Sequence, residues 1–223
     1  MRNALLFIGL TASAPWLYAH DIITTSITFN KEIVRIVHAR CARCHRDGGS
    51  AFSLMTYKDA RPWAQAIKEE VLGRRMPPWG AVKGFGEFRN DEGLSSEQVE
   101  TLLGWIDGGV PEGEASSLPA TPFVVPPTPA LPKPSAIVTD RGYVLTRAMK
   151  LDGLVPVAVP AGASMQITAV LPDGNVEPLV WLNTYQPKYA HAFLFEEPLA
   201  LPAGTRIEGI AVGAKIGLLP ASK

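Results

Sequence analysis

A proline-rich stretch in the middle of the chain limits the fold more than any other feature. Residues 111–134 read PEGEASSLPATPFVVPPTPALPKP and contain eight prolines. Proline fixes one backbone dihedral and lacks the N–H group that helices and sheets use, so this stretch is unsuited to a core element. We therefore expect a semi-rigid, extended connector that divides the chain into two parts.

The apolar residues before this stretch have helical spacing. Asn30 is a predicted N-cap, and the pairs Thr56/Asp59 and Ser95/Gln98 resemble capping boxes at the start of two further helices. The predicted buried faces are Ile33, Val34, Ile36 and Val37; Trp63, Ala66, Ile67 and Val71; and Val99, Leu102, Leu103 and Ile106. The pattern predicts three short helices.

After the stretch, the helical spacing gives way to short runs of β-prone residues, several of which alternate between apolar and polar. These runs cover residues 143–146, 155–159, 164–170, 176–182, 190–195 and 205–212. Short strands at this spacing are typical of a small β-sandwich. We therefore predict a multidomain α plus β chain with a small all-α domain over residues 20–110, a proline-rich linker over 111–135 and a small all-β sandwich over 136–223.

The first residues have the pattern of a secretory signal peptide. Arg2 precedes an apolar run from Ala4 to Ala14, which is too short to span a bilayer, and the first acidic residue is Asp21. Cleavage after Ala19 fits this pattern best, and an uncleaved N-terminal anchor is the alternative. The pattern predicts a signal peptide over residues 1–19 and an exported protein, periplasmic or secreted, with no integral membrane span after cleavage.

The charge of the chain argues against one class of partner. Lysine and arginine together number 21, as do aspartate and glutamate, so the formal net charge is zero. Nucleic-acid-binding proteins carry an excess of basic residues that neutralises phosphates. We therefore expect no nucleic acid among the partners.

The two cysteines of the chain, Cys41 and Cys44, are followed directly by His45 in the sequence CARCH. In an oxidising compartment, a disulfide is the simplest interpretation and a thioredoxin-like redox pair is the next. A redox pair is expected to follow a strand, whereas here a predicted helix precedes the cysteines and a glycine-rich loop follows them. A zinc site would need a further cysteine or a histidine at zinc-finger spacing, which the chain lacks.

The sequence C-x-x-C-H is also the attachment motif of c-type haem. Each thiol forms a thioether with one vinyl group of the porphyrin, and the histidine becomes an axial ligand of the iron. This interpretation uses all three residues of the motif. We predict one covalent haem c on Cys41 and Cys44, with His45 as the proximal ligand.

A sixth ligand for the iron is predicted at Met76. This residue lies in the sequence RRMPPW, in which two prolines prevent helix formation and stiffen the loop. His38 and Met55 are the alternative ligands, and core filling is the ordinary role of a methionine. Iron with histidine and methionine ligands favours the ferrous state, which suits electron transfer.

Charged and aromatic residues near the motif are candidates for further contacts with the haem. Arginines cluster at positions 40, 43, 46, 74 and 75, where they could pair with haem propionates or form a docking patch. Trp63 and Trp79 could line the haem. Solvated arginines and tryptophans in a protein core are the simpler interpretations.

Residues 28–114 resemble a compact cytochrome c domain found in bacterial envelope proteins. The sequences CARCHR, TYKDARPWAQAIKEEV and RRMPPW carry most of the resemblance. It implies that the all-α domain is a class I-like monohaem cytochrome c domain, with Cys41 and Cys44 bonded to the haem and with His45 and Met76 as axial ligands.

Residues 179–210 resemble, more weakly, the closing strands of copper type II, ascorbate-dependent monooxygenases. Copper sites of that kind need several histidines, whereas residues 135–223 contain one histidine, His191, and two methionines, Met149 and Met165. The resemblance therefore implies a truncated module without catalytic copper.

These observations favour a periplasmic electron carrier over an enzyme. The expected partners are redox proteins of the bacterial cell envelope, with the β-domain used for docking or interaction. The alternatives are a haem-containing oxidoreductase component that feeds electrons to a degenerate monooxygenase-like β-domain, and a haem-based ligand sensor.

Overall fold

Eight antiparallel strands make up most of the regular structure in the computed structural model, which describes residues 24–127 and 129–221. They are β1 (Ala136–Val138), β2 (Tyr143–Val144), β3 (Met149–Ala158), β4 (Met165–Val170), β5 (Val176–Leu182), β6 (Phe193–Leu201), β7 (Arg206–Glu208) and β8 (Lys215–Pro220). They form two four-stranded sheets in the orders β1-β8-β3-β6 and β2-β7-β4-β5. We call residues 136–220 the two-sheet body.

Both sheets contribute side chains to one apolar core. The first sheet supplies Val138, Leu151, Leu154, Phe193 and Ile216, and the second supplies Ile167, Leu179, Leu182 and Ile207. In β4 the residues alternate between a buried and a more exposed face, as expected for a strand with one face against a core.

In the described residues, α-helical structure occurs in three short segments that precede the proline-rich stretch. The first consists of the turns Phe29–Ile33, α1 (Val34–Ile36) and Val37–Cys41; the second of α2 (Tyr57–Ala60), a 3₁₀ turn at Arg61–Trp63 and α3 (Ala64–Leu72); the third is α4 (Ser96–Asp107). Their apolar faces form a second core around Phe29, Ile33 and Trp105. No helix in this part of the chain has the length and hydropathy needed to cross a membrane.

Two of the three predicted helix starts are found where the sequence placed them. The Ser95 hydroxyl accepts a hydrogen bond from the Gln98 N–H and the Gln98 side chain accepts one from the Ser95 N–H, which confirms the capping box. Thr56 accepts from the Asp59 N–H at 3.2 Å. Asn30 is not a cap: Thr28 is the N-cap, Asn30 is the second residue of the first helical turn and is buried, and its side-chain amide donates to the Gly113 carbonyl at 2.9 Å.

The predicted fold class, an all-α cytochrome c domain followed by a linker and an all-β sandwich, is wrong. Three short helical segments and two four-stranded sheets give the described residues a mostly β structure. Trp79, which the prediction assigned to the all-α part, is only 5 % exposed and belongs to the core of the two-sheet body. Between α3 and α4 the chain is not helical, and the aromatic residues Trp79 and Phe88 of this stretch are covered by the sheets instead of by helices.

Residues 79–91, which we call the bridging segment, lie along the outer strands of both sheets. At β5, the Val82 N–H donates to the Trp181 carbonyl at 2.9 Å, and the Gly80 carbonyl accepts from the Asn183 N–H at 2.9 Å. At β6, the backbone of Arg89 donates to Leu194 at 3.0 Å, and the carbonyl of Glu87 accepts from Glu196 at 2.9 Å. The segment therefore adds backbone pairing to the open edges of the two sheets.

Candidate haem attachment site

The three residues of the C-x-x-C-H motif form one compact turn at the end of the first helical segment. The Cys44 and His45 N–H groups both donate to the Cys41 carbonyl, at 3.1 and 2.9 Å. Both cysteines are free thiols in the structure. The structure therefore brings Cys41, Cys44 and His45 together, and we call residues 41–45 the CxxCH turn.

The glycine-rich loop after the turn folds back onto it. The Ala51 N–H donates to the Cys44 carbonyl at 3.1 Å, and the Leu54 N–H donates to the His45 carbonyl at 3.2 Å. Gly49 approaches Cys44 so closely that a Cβ atom at this position would overlap the Cys44 carbonyl oxygen. A glycine is therefore required for the loop to hold the turn in this conformation.

The imidazole of His45 has the hydrogen bond that a metal ligand needs. Its Nδ1 lies 3.0 Å from the carbonyl oxygen of Phe52, which can only accept. With the proton on Nδ1, the lone pair of Nε2 is available to a metal, and the bond fixes the orientation of the ring. The ring also packs edge-on against Phe52, which stacks on Trp63 at 4.2 Å. Trp63, 43 % exposed, is thus placed near the turn.

The Cys41 thiol is shielded from water. Burial raises its pKa to about 12, against the opposing effect of the neighbouring Arg40. At neutral pH the thiol is therefore protonated in the protein without haem. The same burial places its sulfur against the apolar core of the helical segments.

Three arginines surround the turn and make different contacts. Arg40 donates from Nη1 to the Asp91 carbonyl at 2.7 Å, and Arg43 forms an ion pair with Glu92 at 3.0 Å. The Nε atoms of Arg40 and Arg46 are buried and have no hydrogen-bond partner within the described part of the chain. Buried guanidinium N–H groups of this kind are suited to an acidic group such as a haem propionate.

The other arginines of the predicted cluster lie at the end of α3, close to Met76. Arg75 is exposed and forms a two-bond ion pair with Glu70, with both N–O distances at 2.9 Å. This pairing raises the pKa of Arg75 and lowers that of Glu70. The predicted arginine cluster is therefore divided between two places.

Met76, the predicted sixth ligand, lies on a separate segment from the CxxCH turn. Its N–H donates to the Glu70 carbonyl at 3.3 Å, and a cis peptide bond joins it to Pro77. Residues 91–93 contact two arginines at the CxxCH turn and also Trp79, which lies three residues after Met76. They bind Arg40 and Arg43 on one side, and Gly93 lies against the indole of Trp79 on the other.

The two alternative ligands have other surroundings. The His38 ring packs against Phe123 of the proline-rich stretch, with the ring centroids 5.3 Å apart. Met55 lies in the loop before α2, where its N–H donates to the Ser53 hydroxyl at 3.2 Å.

Trp79 lies in the core of the two-sheet body, so core packing describes it better than contact with haem. No group of three or more histidine, cysteine or acidic side chains in the described residues is arranged to hold a metal ion by itself.

One further residue, His191, lies beside Trp79, and no sequence pattern predicts this position. His191 stacks on Trp79 with a centroid distance of 4.6 Å and an interplanar angle of 13°. Its Nδ1 donates to the Tyr189 carbonyl at 2.8 Å, and its buried Nε2 has no hydrogen-bond partner in the described residues. Burial lowers its pKa, and the charges of Glu92 and Arg43 act on it in opposite directions. The sequence around this single histidine of the β-rich region does not predict that it packs against Trp79.

Comparison with protein-family models, with curated proteins and with solved structures gives no match to this chain.

Proposed function

We propose that this chain is an exported c-type monohaem protein that transfers single electrons between redox partners of the bacterial cell envelope. The observation that carries the proposal is the CxxCH turn, in which two free thiols lie beside an imidazole whose Nδ1 is bound and whose Nε2 is available. Covalent haem is the cofactor that uses two thiols and a neighbouring histidine at this spacing.

The residues of the turn have defined roles in holding this haem. Cys41 and Cys44 provide the two thioether sulfurs, and His45 is oriented by the Phe52 carbonyl as one axial ligand. Arg40 and Arg46 have buried Nε–H groups that can donate to propionates. These features fit a haem, which when bound supplies one-electron oxidation and reduction.

Met76 is proposed as the second axial ligand because it follows α3 in a loop stiffened by two prolines. Trp79, three residues further on, lies against Gly93, next to the residues that bind Arg40 and Arg43. A thioether and a neutral imidazole favour the ferrous state. An iron with both axial positions filled has no open site for a substrate, which favours electron transfer over catalysis.

Expression with a haem-attachment system tests the proposal. The purified protein is expected to keep its haem after denaturation, and a pyridine haemochrome assay is expected to give one haem per chain with two thioether links. Cys41→Ser and Cys44→Ser are each expected to leave one link, and the double variant none. A wild-type protein without covalent haem, or with Cys41 and Cys44 joined in a disulfide, would reject the proposal.

A further inference from the structure

We propose that the two-sheet body positions the Met76 ligand, through Trp79 and the bridging segment, and thereby determines whether the second axial position of the iron is filled. This inference rests on the proposed haem function. According to this inference, the sheets contribute to ligation of the iron, and their role is not limited to docking a partner.

Trp79 fixes the chain three residues after Met76. Its indole is buried against aromatic rings of the two-sheet body, with centroid distances of 4.6 Å to His191 and 5.1 Å to Phe193. The two residues between Met76 and Trp79 are prolines, whose φ angles are fixed by their rings. The position of Met76 therefore follows that of Trp79 more closely than it would across a flexible loop.

Side chains of the bridging segment fasten it to β3 and β6 in addition to the backbone pairing. The guanidinium of Arg89 makes two bonds to the Asp152 carboxylate, at 3.0 and 2.7 Å, and a third to the Phe195 carbonyl at 2.6 Å. Asn90 donates to the Ala192 carbonyl at 2.7 Å and accepts from the Leu194 N–H at 3.0 Å. The side chains of Arg89 and Asn90 thus hold the C-terminal end of the segment, and the side chain of Trp79 holds its N-terminal end.

The same segment continues into the residues that contact the CxxCH turn. Asp91 accepts from Arg40 through its carbonyl and also forms an ion pair with Lys83. Glu92 pairs with Arg43. The connection from the sheets to the arginines at the turn is therefore continuous along the chain.

A set of four haem-loaded variants tests this inference. Trp79→Ala removes the anchoring ring, and Trp79→Phe keeps a smaller ring in its place. Asn90→Ala removes two hydrogen bonds of the segment without opening a large cavity. Ile216→Ala is the matched control: Ile216 lies in the same core, 1 % exposed, but its strand, β8, pairs with β1 and β3, away from the bridging segment.

Two measurements separate ligand positioning from haem attachment. A pyridine haemochrome assay reports covalent attachment, and carbon monoxide binding to the ferrous protein reports how often the second axial position is open. We expect Trp79→Ala and Asn90→Ala to keep one covalent haem but to bind carbon monoxide about ten-fold faster than wild type or more, because the Met76-bound state is less favoured. The binding rate of Trp79→Phe is expected to lie between those of wild type and Trp79→Ala. Ile216→Ala is expected to bind carbon monoxide at the wild-type rate, although its stability is lower.

The remaining outcomes reject either the positioning role of the sheets or the proposed haem function. Wild-type binding rates in Asn90→Ala, or an equal increase in Ile216→Ala, would overturn the positioning role even if haem is attached in every variant. If Trp79→Ala does not fold, Asn90→Ala and Trp79→Phe still decide the question. A wild-type protein without covalent haem would reject the proposed function, and this inference with it.

Discussion

Two side chains on different segments set the chemistry proposed for the iron. His45 is fixed by its bond to the Phe52 carbonyl, whereas Met76 depends on the loop that carries it. We expect Met76→Ala to convert the ferrous protein to a form that binds carbon monoxide rapidly, because the thioether proposed for the second axial position is lost.

Met55→Ala provides the matched control for this prediction, since it truncates a methionine in a different loop. It is expected to bind carbon monoxide at the wild-type rate in stopped-flow mixing. Rapid binding by Met55→Ala together with slow binding by Met76→Ala would assign the ligand to Met55 instead.

His191 gives a second prediction at the scale of single residues. Burial lowers its pKa from the ordinary value of 6.5, so the folded protein holds the ring neutral. The stabilising contribution of the neutral ring is complete above pH 6.5 and is lost as the pH falls below it, because the unfolded chain then binds a proton more readily. His191→Phe keeps a ring against Trp79 and removes this dependence.

Urea unfolding at pH 7.5 and at pH 5 measures the effect. The midpoint of the wild type is expected to fall more between the two pH values than the midpoint of His191→Phe. An identical fall in both proteins would show that another group is responsible.

The functional residues were predictable to different degrees. The CxxCH turn follows from three adjacent residues with a known chemical use, and the sequence also indicates the glycine-rich loop. The orienting carbonyl of Phe52 depends on how that loop folds back, and the Arg40 and Arg46 Nε atoms, which lack a partner among the described residues, depend on the tertiary structure; spacing encodes neither. His191 reaches Trp79 only because the chain folds across the sheets.

Among the elements, the loop at residues 48–54 is the one on which the haem turn depends most directly. Gly49→Ala would drive a Cβ atom into the Cys44 carbonyl, so the turn would have to move. Gly48→Ala is a matched control, because Gly48 has a φ of 68° but nothing within 4 Å of its Cβ position. It is expected to cost about 1 kcal/mol of stability through backbone strain.

Gly49→Ala is expected to cost more stability and also to lower the covalent haem content per chain. Chemical unfolding and the pyridine haemochrome assay measure the two quantities. Equal losses of stability and equal haem content in the two variants would contradict the contact between Gly49 and the turn.

The sequence pattern did not predict β1 and β8, and it ended the fifth predicted run early: the predicted run 190–195 stops before Pro198, whereas β6 continues through Pro198 to Leu201. Prolines also lie inside β3, at Pro156 next to a register shift, and inside β5, at Pro178. Outer strands and bulges tolerate a missing N–H, so a proline there does not end the strand. The register of β3 shifts between Leu151 and Gly153, at Asp152, whose carboxylate accepts from Arg89.

For the whole molecule, the bridging segment helps to explain why the predicted fold class, an all-α domain followed by an all-β sandwich, was wrong. Periodicity identified local elements on both sides of residue 110. It could not show that Trp79 and Phe88 would pack on sheets formed by residues 136–220. Long-range burial of this kind depends on which apolar surface is available in the folded chain.

A single cooperative unfolding transition is expected as a result. Trp79 belongs to the sheet core, and the Met76 loop depends on it, so the haem spectrum and the β-sheet circular dichroism should change at the same urea concentration. Arg89→Ala should lower both midpoints together, by about 1 kcal/mol in stability, because a two-bond ion pair is lost.

Asp152→Ala supplies the partner variant for a double-mutant cycle. The Arg89/Asp152 double variant is expected to lose less stability than the sum of the two single variants. Separate transitions for haem and sheets would instead show that the two parts unfold independently.

The position of residues 79–91 along β5 and β6 also bears on solubility. Both strands end their sheets, and unpaired backbone groups at such positions readily pair with another polypeptide. Proteolysis on both sides of residues 79–91 that released this stretch would expose the outer backbone groups of both sheets at once. The surviving C-terminal fragment would then join other copies of itself strand to strand and precipitate.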